Sequence, residues 1–167
     1  MGETGILEPQ SRTELLDGVI YDMAPIGPPH GWNNNDWTHW FIRGLAGRAY
    51  VTTQTPLALA GDSEPVPDLM VVRSGADRRA HPRPVDVLLI VEVTHTTVAH
   101  HLQAKALRYG QAAIPEYWVH LVEGPQLVVH RNPSPDGYRL IQRFAPGEPV
   151  SPLAFPDLTF DLAELNA

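Results

Sequence analysis

Apolar and polar residues recur along this chain with two different periods, and the changes of period mark the expected elements. Residues 1–12 mix Gly, Pro, Glu and Ser without periodicity and read as a flexible N-terminal arm. Glu14-Leu15-Leu16-Asp17-Gly18 leads into Val19-Ile20-Tyr21-Asp22-Met23, where Asp-Gly marks a turn and the β-branched and aromatic residues favour a strand. The prolines of Pro25-Ile26-Gly27-Pro28-Pro29 cannot continue it. Asn33 to Asp36 offer N-caps for a helix whose apolar stripe is Trp37, Trp40, Phe41 and Leu45, at i, i+3, i+4 and i+8, with an end near Gly47. Tyr50–Thr53 and Thr55–Leu59 are short strand candidates, and Leu69–Val72 reads as a buried strand.

The Pro-rich, charged segment Ser74–Pro84 is an exposed connection. The nearly continuous apolar run Val85–Val93 has the character of a central strand covered on both faces. From about Ala99 a second helix carries Leu102, Ala106, Tyr109 and Ala113 on one stripe and His101, Lys105 and Arg108 on the next, until Pro115 stops it. Glu116–Val122 is another strand. Gln126–Arg131 and Tyr138–Phe144 form an antiparallel hairpin across Asn132–Gly137. The tail closes with a short strand near Leu158–Phe160 and a last helical turn. The sum is an α+β fold, a mixed sheet with two main helices, in one domain spanning 13–167.

Composition narrows the chemistry. With 43% apolar residues in 167, the chain can bury one substantial core. Its longest apolar run falls far short of the roughly 20 residues that span a bilayer. The N-terminal residues carry no basic start followed by an apolar block, so the expected location is cytoplasmic. There are no cysteines, which removes disulfides, thiol nucleophiles and thiolate metal sites together. Any metal would use oxygen or imidazole ligands. The net charge of −7 argues against a broad nucleic-acid-binding surface, although a local basic face or a cleft between two copies can coexist with an acidic whole.

Two carboxylates stand at the ends of expected strands, Asp68 after Pro67 and Glu92 at the end of Leu88-Leu89-Ile90-Val91, and Lys105 follows on the second helix. This set suits metal-assisted cleavage of a phosphodiester, since clustered carboxylates hold a hard divalent cation and an ammonium stabilises developing charge. Taken alone, Asp68 beside a proline is ordinary turn chemistry. Glu92 is harder to dismiss, because an ionised carboxylate in such a run needs a partner or a cation. The alternative for it is a salt bridge to Lys105 or Arg108. His95, His100 and His101 invite a zinc reading that helix geometry disfavours, since His100 and His101 point to different faces. His30, after two prolines, reads as a loop residue near the site, and Trp37, Trp40 and Phe41 as core or dimer contacts.

Glu14-Leu15-Leu16-Asp17-Gly18, Pro29-His30-Gly31, Ser63-Glu64-Pro65-Val66-Pro67-Asp68-Leu69, Val91-Glu92-Val93, Lys105 and Ile114-Pro115-Glu116-Tyr117-Trp118 together resemble the Uma-two family of restriction-endonuclease-like proteins, from about Glu14 to Leu165. The resemblance implies the restriction-endonuclease-like fold of the PD-(D/E)XK nuclease superfamily, a mixed central sheet flanked by helices. It implies Asp68 and Glu92 as metal ligands, joined by the carbonyl of Val93, with Mg²⁺ or Mn²⁺ as cofactor and nucleic acid, DNA before RNA, as the partner of a homodimer. The superfamily's lysine slot, two residues after the glutamate, holds Thr94. The family's alternative is a lysine on the following helix, which Lys105 supplies from roughly two turns in, about 9 Å along the axis. Glu14 or Asp17 would add a water-mediated contact, the alternative for both being a plain turn, and His30 and His101 would lie beside the ligands.

The chain departs from the family at His101 and at His120-Leu121, where acidic residues are usual, and at Val66. Two functions therefore compete: a Mg²⁺-dependent endonuclease, and a degenerate member that keeps the fold as a binding or interaction module.

Overall fold

The structure, a computed structural model, describes residues 12–23, 27–94 and 99–166, and leaves the side chains of 99–101 and 166 outside the description. Two short strands, β1 (Thr13–Leu16) and β2 (Val19–Asp22), pair antiparallel as a separate hairpin. Asp17 and Gly18 turn it with positive φ values of 54° and 75°, the left-handed conformation that Asp-Gly tolerates best. Helix α1 (Pro28–Leu45) follows. It starts a turn earlier than its Asn-rich stretch suggests, because Pro28 and Pro29 occupy its first positions, where an absent N–H costs nothing and φ is already helical. His30 is consequently a helical residue, not the loop residue expected from its two prolines. The helix closes at Ala46 and Gly47, both with positive φ.

The main sheet has six strands in the order β3-β4-β5-β6-β7-β8: β3 (Ala49–Thr53), β4 (Leu69–Arg73), β5 (Val87–Thr94), β6 (Glu116–Leu121), β7 (Gln126–Ser134) and β8 (Gly137–Phe144). Every neighbouring pair is antiparallel except β5 with β6, whose parallel pairing is made possible by the crossover through helix α2 (Ala99–Gln111). Thr55–Leu59 is not a strand. Leu57 and Ala58 donate instead to the carbonyls of Pro65 and Pro82, which ties down an irregular segment with Leu57 fully buried. The β7–β8 turn is also tighter than composition suggests, since both strands continue past Asn132 and leave only Pro135-Asp136 between them. Near the C-terminus, the expected strand is reduced to a single bridge between Val150 and Phe160, followed by the 3₁₀ turn Leu162–Asn166.

Helices cover both faces of the sheet. On one face Trp37, Phe41 and Leu45 of α1 pack with Leu69, Val71, Leu89, Val91, Val93 and Trp118, and Phe160 from the tail closes the layer 4.3 Å from the Trp37 ring. Thus the aromatic stripe of α1 is core. On the other face Tyr109 of α2 joins Met70, Val72, Val87, Ile90, Tyr117 and Val119. Adjacent β4 residues alternate between the layers, as a strand buried on both sides must. Strand β5 does so only after a bulge. Val71 pairs with Leu89 and Val72 with Val87, so Leu88 is an extra residue, and Leu88 and Leu89 both join the α1 layer. From Leu89 onward the alternation is regular, and Ile90 faces α2.

Helix α2 lies against the β7–β8 hairpin at Gly110. A Cβ there would fall 2.2 Å from the carbonyl oxygen of Gly137, so only glycine permits the approach. Among the described residues no helix is long and apolar enough to cross a membrane.

Candidate active site

Strands β4 and β5 run antiparallel, with Leu69 opposite Val91, so the start of one and the end of the other share an edge. Asp68 and Glu92-Val93 are therefore neighbours despite 23 intervening positions. The Val93 N–H donates to Asp68 Oδ2 at 2.9 Å. A strand residue presents its N–H and C=O to the same side, so the Val93 carbonyl also faces the Asp68 edge. Asp68 Oδ1 meets His30 Nε2 at 2.9 Å and accepts from Asn34 Nδ2 at 3.3 Å, both from the first turns of α1. Asp68 is 7% exposed. Burial pulls its pKa up, but the His30 hydrogen bond and charge, the Val93 N–H and the Lys105 charge outweigh it and hold the carboxyl below its ordinary range. His30 is shifted upward in return, chiefly by its bond to Asp68.

Glu92 points the other way, toward α2. Its Oε1 accepts from Lys105 Nζ at 2.9 Å and from the Tyr109 hydroxyl at 3.2 Å. Lys105 Nζ also lies 3.0 Å from Glu14 Oε2, and all three charged residues are buried. Burial pushes Glu92 up to about 7; Lys105 opposes the shift, while the Asp68 and Glu14 charges add to it. Lys105 loses some proton affinity to burial but gains more from Glu92 and Glu14, so it stays charged well above neutral pH. It is a donor here, not a base.

Glu14 reaches this cluster because the β1–β2 hairpin is bolted to the segment before Asp68. Leu15 and Glu64 exchange two backbone hydrogen bonds, Gly18 N–H donates to the Asp62 carbonyl, and Val66 N–H donates to Glu14 Oε2 at 3.2 Å. Its carboxylate thereby lies directly against Lys105. Asp17 is turned elsewhere. It forms an ion pair with Arg108 and takes part in hydrogen bonds with Ser63, beside an open groove of about 400 Å³ lined by Leu59–Ser63, Arg108 and Gln111. Of the two cations proposed as partners of Glu92, the structure thus selects Lys105 and gives Arg108 to Asp17. The side chain of His101, like His95 and His100, lies outside the described residues.

Asn34 and Tyr109 join the site although sequence reading assigns them other work, a cap and a packing stripe. The spacing of His30 and Asn34 carries a signal, four residues apart and so on one helix face, but only once the helix is known to start at Pro28. His120, which stands where the family is acidic, is buried and accepts from Trp37 Nε1 at 3.2 Å.

The chain matches the family described as "Uma2: Putative restriction endonuclease" across residues 3–163. It belongs to the Uma2 family. No curated protein matches it. Among solved structures, a protein from Anabaena variabilis described as a putative nuclease belonging to DUF820 superposes with a TM-score of 0.79, covering 98% of this chain and 94% of that one at 14% identity. At that identity the likeness establishes the fold: this Uma2 chain carries the same mixed sheet flanked by helices.

The donor set of the Uma2 site suits a hard cation. Among the described residues no three His, Cys, Asp or Glu side chains converge as a ready metal cage. Magnesium does not need one, because it keeps several waters and takes one or two carboxylates. Glu14, Asp68 and Glu92 gather three buried carboxylates beside Lys105 and His30, a concentration of oxygen donors that suits a divalent cation.

Proposed function

We propose that this protein is a Mg²⁺-dependent endonuclease that hydrolyses phosphodiester bonds of nucleic acid, with Mn²⁺ able to replace Mg²⁺ and DNA as the expected substrate. The observation that carries this reading is the meeting of two buried carboxylates at the shared end of β4 and β5, Asp68 held ionised and Glu92 raised to about 7 beside a charged lysine. Asp68, Glu92 and the Val93 carbonyl would hold the cation, which supplies Lewis-acid stabilisation of the phosphate and an acidified water. Around it, His30 and Asn34 fix the Asp68 carboxylate in one orientation. Glu92, whose proton affinity is raised by burial, would give up that proton in favour of the cation it helps to hold. Lys105, held by Glu14 and Glu92, would supply a fixed positive charge to the developing charge on the phosphate. In a homodimer two such sites would act on one substrate.

The second reading, a nuclease fold kept as a binding module, draws support from Thr94, His101 and Leu121 and from the net charge of −7. One experiment separates the two. Plasmid, single-stranded DNA and RNA are incubated with the protein in Mg²⁺ or Mn²⁺. We expect cleavage that Asp68→Asn and Glu92→Gln each reduce by about three orders of magnitude or more. Full activity in either variant would overturn the site, and inertness of the wild-type protein on every substrate would favour the binding module.

A further inference from the structure

Asn34 has a side-chain oxygen with nothing to bond. The residue is 8% exposed, and its Oδ1 is one of three buried side-chain polar atoms without a hydrogen-bond partner among the described residues, with Thr52 Oγ1 and the Tyr117 hydroxyl. Hydroxyls rotate to suit their surroundings, whereas an amide oxygen has no such freedom. Its orientation is also fixed by chemistry. Asp68 Oδ1 can only accept when ionised, so the amide must turn its NH₂ toward Asp68 and its oxygen away. An acceptor stranded this way ordinarily costs about 1–3 kcal/mol. Helix α1 sets it there firmly, because Trp37 and Phe41 a turn further on are fully buried and Thr38 Oγ1 bonds the Asn34 carbonyl at 2.7 Å.

We propose that Asn34 is a positioning residue whose Oδ1 accepts a hydrogen bond from a water on the divalent cation held by Asp68. The amide then bridges carboxylate and cation shell, donating to one and accepting from the other, and both of its polar ends are satisfied when the site is loaded. The inference rests on the cation reading above and extends it to a residue outside the ligand set, on the neighbouring helix. Residues that orient metal shells in this way change metal affinity by about 10–100-fold when removed.

The test uses Mn²⁺ as the probe, with free Mn²⁺ measured by electron paramagnetic resonance and melting followed with and without the ion. Asn34→Leu should weaken Mn²⁺ binding by about tenfold or more, since it removes both the acceptor and the amide that holds Asp68. Asn34→Asp, which keeps an acceptor at this place, should bind Mn²⁺ at least as tightly as wild type while its ion-free form melts lower, since it sets a second carboxylate against Asp68. That variant keeps the test decisive should the leucine variant fail to fold. Wild-type affinity in Asn34→Leu, or weakened binding in Asn34→Asp, would overturn the inference while leaving the endonuclease reading standing. Failure of the wild-type protein to bind Mn²⁺ would overturn both.

Discussion

At the scale of single residues, Glu92 makes the molecule's stability depend on pH in an unusual direction. Its folded-state pKa is about 7, against 4.5 for an ordinary glutamate, so the folded chain holds this proton more tightly than the unfolded one. The resulting stabilisation is complete below about pH 4.5 and is lost as pH rises through about 7. His30, also raised, loses its contribution in the same direction, whereas Asp68, lowered, contributes above its ordinary pKa and loses that stabilisation as pH falls. In a chelator, stability should therefore fall between about pH 5 and 8, with a Glu92 share on the order of 2 kcal/mol. Thermal melts across that range should show the fall, and both Glu92→Gln and added Mg²⁺ should flatten it. A flat profile for the ion-free wild-type protein would contradict the buried-carboxylate picture. Glu92 stood out in the sequence because a carboxylate at the end of an apolar run demands an explanation, whereas Asp68 alone read as turn chemistry and was joined to it by the family resemblance. The stranded oxygen of Asn34 was not legible there, since only coordinates reveal an unmet hydrogen bond.

Among the elements, contact between α2 and the β7–β8 hairpin is governed by one missing side chain. Alanine at position 110 would gain about 1 kcal/mol in helix propensity. It would also place a Cβ 2.2–2.6 Å from the backbone of Gly137, which cannot retreat without moving the hairpin. We expect Gly110→Ala to destabilise by about 2 kcal/mol or more in urea denaturation. Gly44→Ala is the control: its Cβ would meet only the side chain of Leu158, at 3.2–3.3 Å, and helix propensity should offset most of that strain. Equal stability of the two variants would remove Gly110 as the reason for the close approach. Periodicity identified both helices and most of the sheet strands, because each buries a stripe or face of regular spacing. It misplaced the start of α1, where prolines were read as breakers instead of first-turn residues, and it made a strand of Thr55–Leu59, whose backbone partners lie in loops.

For the molecule as a whole, strand order was beyond the sequence, since pairing of β3 with β4 and of β5 with β6 depends on contacts between distant segments. The family resemblance supplied the fold that periodicity could not. Net charge has its own consequence. With −7 overall and Lys105 already engaged by Glu14 and Glu92, cation-free affinity for DNA should sit at the weak end of the ~10⁻⁴ to 10⁻⁶ M range of non-specific binding. Fluorescence anisotropy with a labelled duplex in chelator measures this. Submicromolar binding there would reveal a basic face that the charge balance does not suggest.

The extra residue at Leu88 has a bearing on all of this. Positions 87 and 92 differ in parity, and in an unbroken strand they would look to opposite faces; with Leu88 out of step, the strand can open with Val87 against α2 and still deliver Glu92 to Lys105 on that same helix. Drawing Leu88 into a regular ladder, with no bulge, would force a choice between seating the strand's beginning and seating its end. Were the beginning to win, the carboxylate would be turned into the aromatic layer beneath α1, while the ammonium kept only Glu14 for company.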